Sequence, residues 1–208
     1  GAILAGVPLG ILTAVYIAKF ASRKVNRALW PAISLMAGIP SIIYGFFGLV
    51  VLVPLMEALF GGGKSVLTAS ILLGIMILPT IVNVSESAIR AVPESYYEGA
   101  LALGASHERS VFFIVLPAAK SGVMTAVALG IGRAVGETMA VMMIAGNQAR
   151  MPAGLLKGVR TLTSNIALEI GYAADLHREA LVATGVVLFV FILLINLLFS
   201  LVTRREKP

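Results

Sequence analysis

The chain has 208 residues, of which 59% are hydrophobic and 12% charged, and its mean hydropathy is +0.98. Soluble domains carry roughly 25% charged residues, so too little polar surface remains for a soluble fold, and the composition is that of an integral membrane protein. The net charge of +6 suits anionic lipid head groups; one Trp and no long basic arm argue against a nucleic-acid binder, and the absence of Cys excludes a disulfide frame or a thiolate metal site.

A spanning helix takes about 20 mainly apolar residues, and five stretches qualify. The first, Gly1 to about Ala21, has no Met, no basic leader and no cleavage pattern, so the chain is expected to begin inside a helix, with sequence upstream of it. The second runs from about Ala32 to Phe60 and is interrupted by Pro40 and Pro54. The third is about Val66 to Val84, and the fourth about Ser121 to Ala145. The fifth, from Leu181, carries no charge between Glu179 and Arg204. None alternates apolar and polar residues as barrel strands do, which makes the fold all-α. "ALFGGGKS" (Ala58 to Ser65) fits a relaxed phosphate-loop pattern, but a P-loop follows a strand in a soluble sheet. A flexible hairpin between two spans is expected here instead.

Basic residues orient the bundle. One side collects Lys19, Arg23, Lys24, Arg27, Arg90, Arg109, Lys120, Arg204, Arg205 and Lys207; the other has Lys64, Arg150, Lys157, Arg160 and Arg178. The richer side is assigned to the cytoplasm. The segment of about 90–120 is then a cytoplasmic loop, and about 146–178 is an extracytoplasmic segment with a short interfacial helix. His107 and His177 read as solvated loop residues, and no metal site is expected.

The cytoplasmic loop reads as two short helices. Pro93 suits a first helical position, Gly104 a left-handed helix end, and Ser106 a cap for the second helix. Tyr97, Ala100, Leu101 and Gly104 fall on one face at helical spacing. By physics alone this is equally an amphipathic helix resting on the bilayer. The spacing is more specific: Glu98-Gly99-Ala100, three residues, Gly104, nine residues, Ile114-x-Leu116-Pro117. It resembles the EAA loop of ABC-transporter permeases, with Gly99 in place of the first Ala. In that family the loop docks into a groove of the cytoplasmic ATPase. The resemblance therefore assigns Tyr97, Glu98, Gly99, Ala100, Leu101, Gly104, Leu116 and Pro117 to coupling, with Tyr97 and Leu101 filling the groove.

The fourth span carries Arg133 and Glu137 within "LGIGRAVGETMAV". A charge at the bilayer centre costs roughly 2.5–3.5 kcal/mol on insertion scales. On a continuous helix residues four apart share a face, so a structural ion pair is one reading, and a transport site is the other. Gly132, Gly136 and Ala140 form a small-residue stripe expected to admit another helix. Together with "AGIPSIIYGFFGL" from Ala37, which fits both permeases of that system, this segment resembles the phosphate-specific (Pst-type) permeases; "GETMAV" and the "DLHREAL" stretch from Asp175 are PstC-like more than PstA-like.

The resemblance covers nearly the whole chain, residues 1–208, as a single transmembrane permease domain of the type I importer (MetI-like) kind, with five spans visible of an expected six. It implies an inorganic phosphate importer in a bacterial or archaeal cytoplasmic (inner) membrane. Its expected partners are a second, PstA-like permease, two PstB-like ATPases and an extracytoplasmic PstS-like phosphate-binding protein. ATP and Mg would be bound by the ATPase, with no cofactor and no catalysis in this chain. Arg133 and Glu137 would be path residues, with Glu137 holding Arg133 in place, and Ser41, Tyr44 and Thr138 would line the same path. The alternatives are a same-fold permease for molybdate or sulfate, an ATP-independent secondary transporter or channel, and a non-transporting membrane scaffold.

Overall fold

A computed structural model describes residues 1–204; Arg205 and Lys207 lie outside the described residues. The helices are α1 (Ala2–Phe20), α2 (Arg23–Gly38), α3 (Ser41–Phe60), α4 (Val66–Arg90), α5 (Glu94–Ala102), α6 (His107–Ala118), α7 (Lys120–Gly136), α8 (Met139–Ile144), α9 (Leu162–Glu169) and α10 (Asp175–Arg204). Among the described residues there is no strand beyond one isolated bridge, Gly146 to Val159. α1, α3, α4 and α10 are each long and apolar enough to cross a membrane. The bent pair of α6 and α7 makes a fifth if the two are counted as one span, and α8 follows α7 after a break at residues 137–138. α6 meets α7 at 70° and so lies across the end of the bundle.

The central helix is α4, and α1 and α7 flank it closely because glycines make room. A Cβ on Gly6 would stand 2.8 Å from Ile77, one on Gly10 2.7 Å from Ile81, and one on Gly130 2.8 Å from Ile81. Two isoleucines of α4 thus sit in notches of its neighbours, the packing that membrane helices use where lipid offers no hydrophobic drive to associate. The expected stripe of Gly132, Gly136 and Ala140 is not the one used. A Cβ on Gly132 or Gly136 would meet nothing within 4 Å, and only Ala140 is packed, against Gly45. One apolar core lies at each end of α4: Val82 and Ile89 with α1 and α6 at one end, Leu72 and Met76 with α3 and α8 at the other.

Three boundaries differ from the sequence expectation. Residues 32–38 belong to α2, a separate amphipathic helix with no buried residue, and the chain turns at Ile39, which is extended, before Pro40. A residue preceding proline disfavours the helical region, which explains the stop. Pro54 and Pro117, by contrast, do not break their helices. Each closely follows a π-turn, Gly48–Leu52 and Val111–Val115 respectively. The wider turn reassigns the carbonyl bonds where proline lacks an N–H. The fourth span is interrupted after Gly136.

The "GGGKS" hairpin is pinned, not flexible. The Val66 N–H donates to the Lys157 carbonyl at 3.0 Å and the Leu67 N–H to the Leu155 carbonyl at 2.8 Å. Buried Ser65 accepts from the Thr68 N–H. The orphan donors that open α4, which a phosphate would need, are already used.

Candidate functional site: a mid-membrane cation and an end loop

Thr80 stands about 21 Å from the start of α4 and about 15 Å from its end at 1.5 Å per residue. Arg133 of α7 reaches it there, and Nη1 donates to the Thr80 hydroxyl at 3.2 Å. The guanidinium is therefore at mid-depth, half-buried, and its hydrogen bond goes to a neutral side chain.

Glu137 does not share a helix face with Arg133. It is the first residue beyond α7, with extended backbone (φ −69°, ψ 126°). Its Oε1 accepts from the Ala140 N–H at 3.0 Å, so the carboxylate caps α8. Its carbonyl accepts from the Thr163 hydroxyl of α9 at 3.2 Å. The expected Arg133–Glu137 ion pair is not formed, and Glu137 does not hold the guanidinium. The helix break turns the carboxylate to the start of α8 and the carbonyl to α9.

Of the other expected path residues, Thr138 lies in the break and donates to the Gly136 carbonyl at 3.3 Å. Tyr44 is buried, donates to the Met36 carbonyl at 2.9 Å, and lies within electrostatic range of Arg133. Ser41 opens α3, half-buried. The break at Ile39–Pro40 and the break at Glu137 are brought together by α3 against α8, where a Cβ on Gly45 would stand 2.8 Å from the Ala140 Cα. Thr80 and Thr163 escaped the sequence reading, because a lone hydroxyl in or beside a helix carries no spacing signal.

At the basic end, α5 terminates in a Schellman motif. The Gly104 N–H donates to the Leu101 carbonyl and the Ala105 N–H to the Ala100 carbonyl, with Gly104 at φ +84°. Ser106 accepts from the Arg109 N–H at 3.3 Å and caps α6. Glu98, Gly99, Leu101, Leu103 and Pro117 face outward, while Ala100 is buried and Leu116 packs on the core. Tyr97 departs from the expected docking face. It turns inward, with its hydroxyl 2.7 Å from His107 Nδ1. His107 is accordingly packed, not solvated.

Glu86, four residues before Arg90, is buried in α4 and ion-paired to that arginine; the spacing "ESAIR" carried the signal.

At the opposite end, Arg160 donates to Glu169 at 2.6 Å, to Asn165 at 3.3 Å and to the Asn147 carbonyl at 3.1 Å. Half-exposed His177 also contacts Glu169 at 3.1 Å. Partial burial pushes the Glu169 carboxyl up. Hydrogen bonds from Arg160, Tyr172 and His177, with the Arg160 charge, outweigh that and hold it below the ordinary carboxylate range. Among the described residues no cluster of His, Cys, Asp or Glu could hold a metal.

The sequence profile of the binding-protein-dependent transport system inner membrane component matches residues 6–208. The chain belongs to that family. Family membership makes it a multi-pass inner-membrane permease that works with an ATPase and a substrate-binding protein. It is 39% identical over 208 residues to the probable ABC transporter permease protein YqgH of Bacillus subtilis (98% of this chain, 67% of the relative). It is 37% identical over 216 residues to the phosphate transport system permease protein PstC of Mesorhizobium japonicum (93% and 66%). To PstC of Xylella fastidiosa it is 36% identical over 230 residues (99% and 71%). The chain thus spans about two thirds of these relatives' length. Among solved structures, the permease resembles a chain of the MetNI methionine ABC transporter, with TM-score 0.73, 21% identity and coverage of 100% and 88%. It also resembles a chain of a bacterial transporter importing alginate, with TM-score 0.73, 17% identity and coverage of 100% and 75%. These establish the MetI-like fold of a type I importer permease.

Proposed function

We propose that this permease carries inorganic phosphate inward as one subunit of an ATP-driven importer, its whole length acting as one transmembrane domain. The observation that carries the reading is Arg133: a cation at mid-depth whose hydrogen bond goes to a neutral hydroxyl, with no carboxylate paired to it among the described residues. A structural pair would neutralise the charge; an unpaired guanidinium suits a transient anion, offering paired donors to two phosphate oxygens. Its single bond to Thr80 orients the fork without occupying it. Passage needs binding that is weak enough to escape, and one fork with few fixed partners meets that need. Tyr44, Ser41 and Thr138 border the same region. Glu137 acts one step removed, by capping α8 and fixing the break beside the path.

The PstC relatives support phosphate as the cargo. The working unit pairs this chain with a PstA-like permease, two PstB-like ATPases and a PstS-like phosphate-binding protein, in a bacterial or archaeal cytoplasmic membrane. ATP and Mg²⁺ bind on the ATPases, which dock on the exposed face of α5 around Leu101 and Leu103; this chain holds no cofactor and performs no covalent chemistry.

The test is uptake by the complete transporter in proteoliposomes. Labelled phosphate should accumulate with ATP inside the compartment that the ATPase faces, and excess sulfate or molybdate should not compete. Accumulation of sulfate or molybdate in place of phosphate would overturn the assignment.

A further inference from the structure

The inward turn of Tyr97 makes a contact between the loop and the first span. Its hydroxyl lies 2.7 Å from His107 Nδ1, and the His107 ring meets the Phe20 ring edge-on with centroids 4.7 Å apart. The Lys19 ammonium stands 5.5 Å from the centre of the Tyr97 ring. A cation over that ring face adds an electrostatic attraction between Lys19 of α1 and Tyr97 of α5. Phe20 is the last residue of the π-turn Tyr16–Phe20 that ends α1. The same turn is held from α4, where Arg90 Nη2 donates to the Ile17 carbonyl at 3.4 Å. α6 already packs Val111 and Val115 against the same end of α1, so α6 and α1 form one packed body. The Tyr97–His107 bond joins the docking helix α5 to that body.

We infer that Tyr97, His107 and Phe20 form a mechanical tie that delivers displacement of α5 to the inner end of α1, with the π-turn as its joint. The inference rests on the reading of α5 as the ATPase-docking helix. These are positioning residues, remote from the transported anion. The backbone joins α5 to α4 through residues 91–93 but does not join it to α1; the tie carries the same shift to α1. π-turns are frequent at functional positions, and their extra residue can be taken up or released within one turn.

The experiment uses the complete transporter in proteoliposomes and reads phosphate moved per ATP hydrolysed. Tyr97→Phe keeps the ring and removes the bond; the ratio should fall about threefold or more, the size of coupling changes seen along such connections. Docking is read separately by cross-linking the ATPase to Leu103→Cys, a 91% exposed position in a chain without other cysteines, and should be unchanged. A second variant, Tyr97→Cys with His107→Cys, should be uncoupled when free and should regain coupling when a short bifunctional thiol reagent bridges the two positions in place of the hydrogen bond. A wild-type ratio in Tyr97→Phe, or a formed bridge that leaves the ratio low, would overturn the tie. Absence of the Leu103→Cys cross-link with Tyr97 intact would instead overturn the docking reading beneath it.

Discussion

Arg133 and Glu137 are four residues apart, and on an unbroken helix they would face each other. The backbone of Glu137 leaves the helix at ψ 126°, and its carboxylate turns to the Ala140 N–H. Nothing in the flanking "VGETMAV" marks that break, since a Gly in an apolar run is equally compatible with a continuous span. The consequence is measurable. Glu137→Gln keeps an acceptor for Ala140 and should assemble normally, whereas Glu137→Ala should cost about 1 kcal/mol of stability through the lost cap. Thermal unfolding in detergent would check both. Combined with Arg133→Gln, the Glu137→Gln change should be additive in stability to within about 0.5 kcal/mol. A larger coupling would mean that the two charges are paired after all. Tyr97 departs from its expected face for a related reason: helical spacing gives the face of a side chain but not which face a tertiary partner such as His107 will claim.

At the level of elements, the loop was the most legible part of the chain because its signals are local. Gly104 takes φ +84° and Ser106 caps α6, both as their residue types imply. A Cβ at Gly104 would meet nothing within 4 Å, so any penalty there is purely backbone. Gly104→Leu should cost about 1–2 kcal/mol locally and uncouple ATP hydrolysis from transport while the protein still inserts. Gly99→Ala, also in open space but inside α5, should transport normally and gain about 1 kcal/mol of helix propensity. Normal coupling in Gly104→Leu, measured as phosphate moved per ATP, would remove the turn from the mechanism. The π-turns before Pro54 and Pro117 were not legible, because proline in an apolar helix signals a break, and whether a wider turn absorbs it depends on neighbouring helices. α2 was hidden similarly: its last apolar turns run on toward those of α3, and only Pro40 marks the boundary.

At the scale of the whole molecule, composition and span length sufficed for the all-α bundle, and the ends of α4 sort the loops as the basic residues do. Lys19, Arg90 and the α5–α6 loop meet at one end; Lys64 and Lys157 meet at the other, joined through the bonds that pin the hairpin. The helix order around α4 was not legible, since the glycine notches that set it, Gly6, Gly10 and Gly130, look like any other small residues in an apolar run. Orientation follows from the charge bias. Leu103→Cys should be labelled only from the cytoplasmic side and Met151→Cys, 91% exposed, only from outside. The reverse pattern would invert the bundle and remove the docking surface. The central claim, that Arg133 meets the anion in passage, is tested most directly by ATP-driven phosphate uptake with Arg133→Gln in the complete transporter. The account predicts a complex that assembles and binds its ATPases but takes up phosphate at a small fraction of the wild-type rate; uptake at the wild-type rate would contradict it.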